Sequence, residues 1–423
     1  MSYEKKLLAM KGLLKESRSP APVAKEETTL YRSEPIESWK EAGIEYCTNE
    51  YGAYYVKRDF FSFEHVHGNK PLGDILPLVR YAQRLFEGHP LTPIEESTIY
   101  FYDTETTGLK GAGVQIFLNG FIERGDFGYA VTQYLLASPG EEAALLHALP
   151  IQSGDTLITY NGKSFDLPQL EVRWTMNRKS LPPFPTVHQI DLLHGSKRLW
   201  KGQQDRYKLQ DMEKLRLGFE REDDLPGHLA PIVYFDALKT KNANNLLRVF
   251  EHNLWDLVSL VALYRQTLEH LTGETSGNSA AVELNLAKWL KDLKFMPHSE
   301  QLYKTIMETY EQQDIPHAYY FLGLFYKRNG KAEDAVELLQ TAATLLTGKE
   351  QLEAYLHAAK INEHQLKRFD EALKQIDHAK RILLSITGEM KREKLASYLQ
   401  DIKKREERVN RKNISRESAG FDK

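Results

Sequence analysis

The chain predicts a mixed α/β domain flanked by helices, followed by an all-α helical region. Three observations carry that expectation. Between residues 98 and 176, runs of β-branched and aromatic residues alternate with helical periodicity in the order strand, strand, strand, helix, strand, helix. Around Thr272–Ser279 the composition turns small and polar, as a linker does. Beyond it apolar residues recur only at helical spacing, and a set of small positions repeats.

At 423 residues the chain should hold two or three domains, and 41% hydrophobic residues can fill their cores. No apolar run is long enough for a bilayer span, and the charged N-terminus lacks a signal-peptide core, so a cytoplasmic protein without membrane contact is expected. The single Cys47 excludes an intrachain disulfide and a cysteine-rich zinc site. A formal net charge of −3 gives no global attraction to nucleic acid, so a polyanion would need local basic patches and metal.

In chain order, residues 1–30 read as a short amphipathic helix and a mobile segment. Residues 31–95 should form an extension, with a β-hairpin turning near Asn49–Gly52 and a helix from Gly73 to Leu85. His65 and His67 lie between them at a spacing that can serve a metal, although a structural role is the plainer reading. Residues 96–271 carry the α/β domain: a strand opening at Thr98, strands over 114–122 and 129–136, a helix from Pro139, a strand at 155–160 and a helix over 170–176. A linker at 272–280, helical repeats over 281–386 and a basic helical tail over 387–423 with a disordered end complete the chain.

The chemistry concentrates at three stations. Asp103 and Glu105 stand at i and i+2 on the opening strand, so their carboxylates project from one face. Such a pair repels itself unless a cation such as Mg²⁺ or Mn²⁺ intervenes. Asp166 follows the strand 155–160 and opens a helix, where it can be an N-cap, a site acid, or both. Asn161 and Phe165, one helical turn apart, offer an amide and a ring, while Lys163 can reach a phosphate or face solvent. Finally, His252 and Asp256 stand at i and i+4 on a long apolar helix, hence on one face. Four acids of this kind suit two cations about 3.5–4 Å apart hydrolysing a phosphodiester, with His252 as general base.

The strand order is that of the ribonuclease H-like architecture. Asp103-x-Glu105, Asn161-x-x-x-Phe165-Asp166 and His252-x-x-x-Asp256 resemble the three motifs of the DEDD 3′→5′ exonucleases. The fuller strings resemble more narrowly the YprB-like ribonuclease H-like group, which carries C-terminal helical repeats. This resemblance covers roughly residues 35–270. It implies that Asp103, Glu105, Asp166 and Asp256 ligate two Mg²⁺ or Mn²⁺ ions and that His252 is the base. Thr106, Asn161, Lys163 and Phe165, beside these acids in the sequence, are the candidates for substrate contact. It implies 3′→5′ exonuclease action on a single-stranded 3′ end, with DNA and repair favoured over RNA. One departure stands out: the histidine subclass places its base five positions before the last aspartate, whereas His252 keeps the four-residue spacing of the tyrosine subclass.

Two features remain outside the motifs. In the long insertion 177–245, residues 188–193 can form a further strand that brings Asp191 near the site. There too, Lys197–Lys208 interleaves cations with Trp200 and Tyr207, as either a nucleic-acid-tracking surface or a solvated helix with buried rings. Downstream, Leu322-Gly-x-x-Tyr326, Ala335, Leu339 and Ala342 follow tetratricopeptide spacing, with a looser copy at Ala359, Ala372, Ile376 and Ala379. Such repeats suit a protein partner, a helicase being one candidate, or simply brace the nuclease domain. The tail, with nine Lys or Arg against four acids over 390–412, can add nucleic-acid affinity or be a self-paired helix. A catalytically weak nucleic-acid-binding scaffold and a 3′→5′ exoribonuclease remain the alternatives to the DNA exonuclease.

Overall fold

The computed structural model describes residues 33–421 apart from 109, 110, 112 and 276–278, and the helix and segment expected over 1–30 lie outside that range. The described residues form two compact units. One contains the chain up to 197 and 202–275; the other contains 198–201 and the chain beyond 275. No helix among the described residues is long and apolar enough to cross a membrane.

The first unit is built on one seven-stranded mixed sheet. After a short helix α1 (Glu37–Glu41), strands β1 (Glu45–Asn49) and β2 (Gly52–Ser62) form the expected hairpin. A two-stranded ribbon, β3 (Val66–His67) and β4 (Lys70–Pro71), precedes helix α2 (Leu76–Leu85). Then come β5 (Ile99–Thr106), β6 (Ile116–Arg124), β7 (Gly128–Leu136), α3 (Glu142–His147), β8 (Thr156–Thr159), α4 (Asp166–Met176) and β9 (His188–Asp191). The spatial order β1-β2-β7-β6-β5-β8-β9 is antiparallel up to β5 and parallel from β5 to β9. The hairpin read as an N-terminal extension therefore forms the edge of the same sheet, through β2 on β7.

Helices α5 (Leu192–Leu199), α6 (Leu209–Met212) and α7 (Ala230–Thr240) fill the long insertion, and α8 (Asn244–Thr272) follows it. Alternation along β5 sorts its side chains between two layers. Tyr100 and Tyr102 join Leu167, Leu170 and Trp174 of α4 in one core, while Phe101 meets Tyr264 of α8 at 5.8 Å. Asp103 and Glu105 continue the Phe101 face, so the strand's period of two delivers both acids toward α8.

The second unit is all helical: α9 (Ala280–Asp292), α10 (Met296–Thr309), α11 (Pro316–Arg328), α12 (Ala332–Leu345), α13 (Gly348–Ile361), α14 (Phe369–Ser385) and α15 (Arg392–Phe421), each packed on the next. The small positions singled out from the sequence, Ala335, Ala342, Ala359, Ala372 and Ala379, are all fully buried between helices. A Cβ on Gly323 would lie 2.8 Å from Leu339 Cγ, so this glycine sets how closely α11 and α12 approach. Toward the end of the chain, α15 runs to Phe421, the last described residue. It is pinned by Arg408 and Lys412 on Glu363 and by Asn413, which donates to Asp370 at 2.9 Å.

Candidate active site

All five residues expected to do chemistry meet at the C-terminal end of β5. Asp103 and Glu105 come from the strand, Asp166 from the first turn of α4, and His252 and Asp256 from one face of α8. A register shift between Glu105 and Thr106 marks a bulge at this end of the strand. Asp166 is the first helical residue, with Phe165 at the cap position, so it makes no N-cap. Its Oδ1 instead accepts a 2.5 Å hydrogen bond from Thr104 Oγ1.

The electrostatics are those of crowded anions with too few cations. Burial, then the charges of Asp256, Asp166 and Glu105, push Asp103 well above the carboxylate range. Burial lifts Glu105 to about 8 against the pull of His252, and Asp166 to about 6 against its bond from Thr104. At pH 7 a glutamate so displaced costs about 3 kcal/mol relative to an exposed one. Asp103 is steadied by Asn253, whose Nδ2 donates to Oδ2 at 2.8 Å; Gln133 in turn donates to Asn253 Oδ1 at 2.8 Å. This chain requires Gly120 on β6, because a Cβ there would fall 2.2 Å from Asn253 Oδ1.

His252 does not have the near-neutral ring expected of it. Burial opposes its charge. A 2.6 Å bond from Nδ1 to Asp224, together with Asp256 and Glu105 at 3.5 and 3.8 Å from Nε2, outweighs that and lifts it to about 9. As it stands the ring is an imidazolium at neutral pH. Beside it, Arg221 pairs with Asp256 and, through two N–H···O contacts of 2.9 and 2.5 Å, with Glu213. Its side chain is only 4% exposed, and its guanidinium charge is held firmly on by Asp256 and Glu213 despite burial.

The substrate-contact candidates divide. Asn161 and Lys163 are exposed and Phe165 is half-buried, but 161–165 is a turn rather than a helical segment, with Asn161 in left-handed backbone at φ +64°. Thr106 is buried and its hydroxyl donates to the Gly108 carbonyl at 2.8 Å. Asp191 on β9 spends its carboxylate on backbone N–H groups of Asn161, Lys163 and Leu193, at 2.8, 3.2 and 3.0 Å; it shapes the loop that leads to Asp166. Of the other features, Trp200 is fully buried and cannot stack on a base. His67 is buried, bonded to Ser259 at 2.8 Å and pushed down by burial to about 4, a structural histidine.

Sequence reasoning missed Arg221, Asp224, Glu213 and the role of Asn253. The signal for the first two was a charge run, Arg221-Glu-Asp-Asp224, in the part of the long insertion beyond Lys208. Asn253 sits next to His252 in a string already singled out, but its position one residue off the His–Asp face gave no reason to aim it at Asp103.

The donor chemistry fits a hard divalent cation: buried carboxylate oxygens in excess over positive charge. Among the described residues, however, no three acid, imidazole or thiol side chains are already gathered as a metal-holding set. Arg221 on Asp256, Asn253 on Asp103 and Thr104 on Asp166 hold three of the carboxylates in their present directions.

Comparison with known proteins agrees with this architecture. The RNase_H superfamily matches residues 100–268, from β5 through most of α8. A curated relative from Bacillus subtilis (strain 168), the uncharacterized protein YprB, is 33% identical over 386 residues, covering 88% of this chain and 92% of its own length. The superfamily match points to nuclease-type hydrolysis. The chain thus belongs to the YprB family, with an RNase_H superfamily domain in its first unit.

Proposed function

We propose that the first unit is a metal-dependent 3′→5′ exonuclease that hydrolyses phosphodiester bonds, single-stranded DNA in preference, with two Mg²⁺ or Mn²⁺ ions. The observation that carries this reading is the meeting of Asp103, Glu105 and Asp166 with Asp256 and His252, three of those carboxyls displaced upward by burial and by one another's charge. Polarity and the preference for DNA rest on the resemblance of the three motifs. When bound, the ions would supply an activated water and stabilise the leaving 3′ oxygen.

The protein's own groups then have definite work. Asp103, Glu105, Asp166 and Asp256 would hold the ions, and Asn253 fixes the direction of Asp103. His252 is held protonated first by its hydrogen bond to Asp224 and then by the charges of Asp256 and Glu105, so it would accept a proton only once that negative charge is offset; Asp224 also keeps its ring oriented. Arg221 holds Asp256 through Oδ1, which leaves Oδ2, on the His252 side, as the oxygen that would ligate. Asn161 and Lys163 meet the strand at the mouth, and Phe165 packs on a terminal base.

One observation favours a second reading, a catalytically weak binding scaffold: Arg221 already supplies Asp256 with a cation. The deciding experiment is degradation of 3′- and 5′-labelled single-stranded DNA and RNA with Mg²⁺, Mn²⁺ or EDTA, beside the Asp103→Ala protein. Metal-dependent shortening from the 3′ end, lost in the mutant, is expected. Binding without cleavage under either metal would leave the scaffold.

A further inference from the structure

The second unit carries a face where cations stand without partners. Helices α9, α11, α13 and α15 contribute Lys288, Lys291, Lys327, Arg328, Lys360 and Arg405. Elsewhere in this unit several cations are matched to acids, as in Lys304–Glu300, Arg368–Glu333, Lys374–Glu371 and Arg381–Asp377. Here Lys288, Lys291, Lys327, Arg328 and Lys360 have no ion-pair partner among the described residues. Arg405, by contrast, is paired with Glu363 at 3.3 Å and with Asp401 at 3.5 Å, although its buried Nε has no acceptor among the described residues. The acids that border this face are committed: Glu350 to His317, and Glu353 to Lys349 and Tyr398.

The six cations feel one another. Burial and then Lys360, Arg405 and Arg328 bring Lys327 down to about 8, with no acid opposing them. Burial lowers Lys291, and Lys288 and Arg328 lower it further against the single pull of Asp292. His357, 2.9 Å from Lys327 Nζ, is pushed to about 4 and cannot share the load as a cation or neutralise it. Lys291 and Lys288 lie 4.2 and 5.5 Å from the half-buried Phe321 ring, so an aromatic surface stands among the charges.

We infer that this face binds a single-stranded nucleic acid, its phosphates lying along the unpaired cations of α9, α11 and α13. A flexible polymer with one negative charge per residue is the ligand that relieves repulsion spread over four helices, where a single small anion would relieve only one point. Phe321, uncovered when a lysine swings to a phosphate, offers a face for a base. The choice of nucleic acid over another polyanion rests on the phosphodiesterase reading of the first unit.

The test uses the full chain in EDTA, so that binding is measured whether or not the first unit cleaves. Anisotropy of a labelled single strand of about 30 nucleotides is followed through a salt series. The Arg328→Gln/Lys360→Gln protein, in which both altered side chains are exposed, should bind at least about 10-fold more weakly at low salt, with a log–log salt slope shallower by about 1.4. The Lys374→Gln/Arg381→Gln protein, which loses two paired cations, should bind as the parent does. Equal binding and slope in the first variant, or an equal loss in the second, would overturn the inference. So would competition by polyglutamate at lower charge concentration than the strand itself, which would assign the face to an acidic protein. Failure of the metal-dependent cleavage assay would sink the nuclease reading and leave this measurement standing.

Discussion

Each unit of this protein buries acids, and the two do so in opposite ways. In the first, Asp103, Glu105, Asp166 and Asp256 share Arg221 and His252 with Asp224 and Glu213, and burial drives Asp166 up to about 6, Glu105 to about 8 and Asp103 well above the carboxylate range. In the second, one fully buried carboxylate, Glu363, is met by Arg405, Arg408 and Lys412, with His364 at 3.2 Å. Burial works against it, but the hydrogen bonds from Arg408 and Lys412 and the charge of His364 win and draw it down to about 2. A carboxylate with surplus cations is a fastener between α15 and the turn after α13. Carboxylates with surplus anions weaken the fold that holds them, which is the expected signature of a site shaped for an absent charge.

The sharpest way to break this contrast is to neutralise one acid in each unit. Asp103→Asn should lower cleavage by about 1,000-fold or more, several kcal/mol of transition-state stabilisation, while raising the metal-free melting temperature by relieving Asp256, Asp166 and Glu105. Mutant and parent would be compared by rate assay and by thermal melts in EDTA. A fall in stability without metal would show that Asp103 is structural after all. Glu363→Gln should do the reverse, leaving activity per folded molecule intact and costing about 3 kcal/mol, because Arg405 is left buried beside an uncharged amide. Denaturant unfolding followed at Trp289, the buried tryptophan of α9, reads that loss.

Titration should separate the units more gently, through opposite signs. Glu363 has a lowered folded pKa, so its contribution is complete above about 4.5 and is lost as the pH falls toward about 2. Glu105 and His252 both have raised folded pKa values. Their contributions are complete below about 4.5 and about 6.5 and are lost as the pH rises through about 8 and about 9. Hydrogen exchange resolved by peptide should therefore show α8 and β5 opening more readily from pH 6 to 9 in EDTA, while α13 and α15 do not loosen, since Lys327, lowered to about 8, favours the folded unit as the pH rises. Added Mg²⁺ or Mn²⁺ should flatten the first trend. A parallel response in both units would remove the distinction.

How much of this could be read from the sequence follows from how local each signal is. The acids of β5 lie two apart on a strand and His252 and Asp256 four apart on a helix, so periodicity alone puts each pair on a face. That the faces meet is a tertiary fact, signalled in the sequence only by the resemblance of its motifs. Arg221 was illegible because its partners, Glu213 and Asp256, lie 8 and 35 residues away and no period links them. The role of Gly120 was hidden for a similar reason: it depends on how closely Asn253 of α8 approaches β6. The tail was misjudged because a run of cations looks the same whether it faces solvent or a buried acid. Arg405, Arg408 and Lys412 recur at i, i+3 and i+7, a helical stripe whose target, Glu363, stands on another element.

The smallest expected effect tests whether the Glu363 cluster holds a true surplus of cations. Lys412 lies 37% exposed and donates to Glu363 Oε1 at 2.9 Å, an oxygen that also accepts from Arg408. If Arg405 and Arg408 already satisfy the carboxylate, Lys412→Ala should cost less than about 1 kcal/mol, within the range of an ordinary partly solvated pair. In an Arg408→Ala background the same change should cost more, because the carboxylate then depends on fewer donors. The two single mutants and the double mutant, compared by denaturant midpoint, measure that coupling directly. A full cost from Lys412 alone would mean that each cation is needed, and that the second unit is balanced rather than over-supplied.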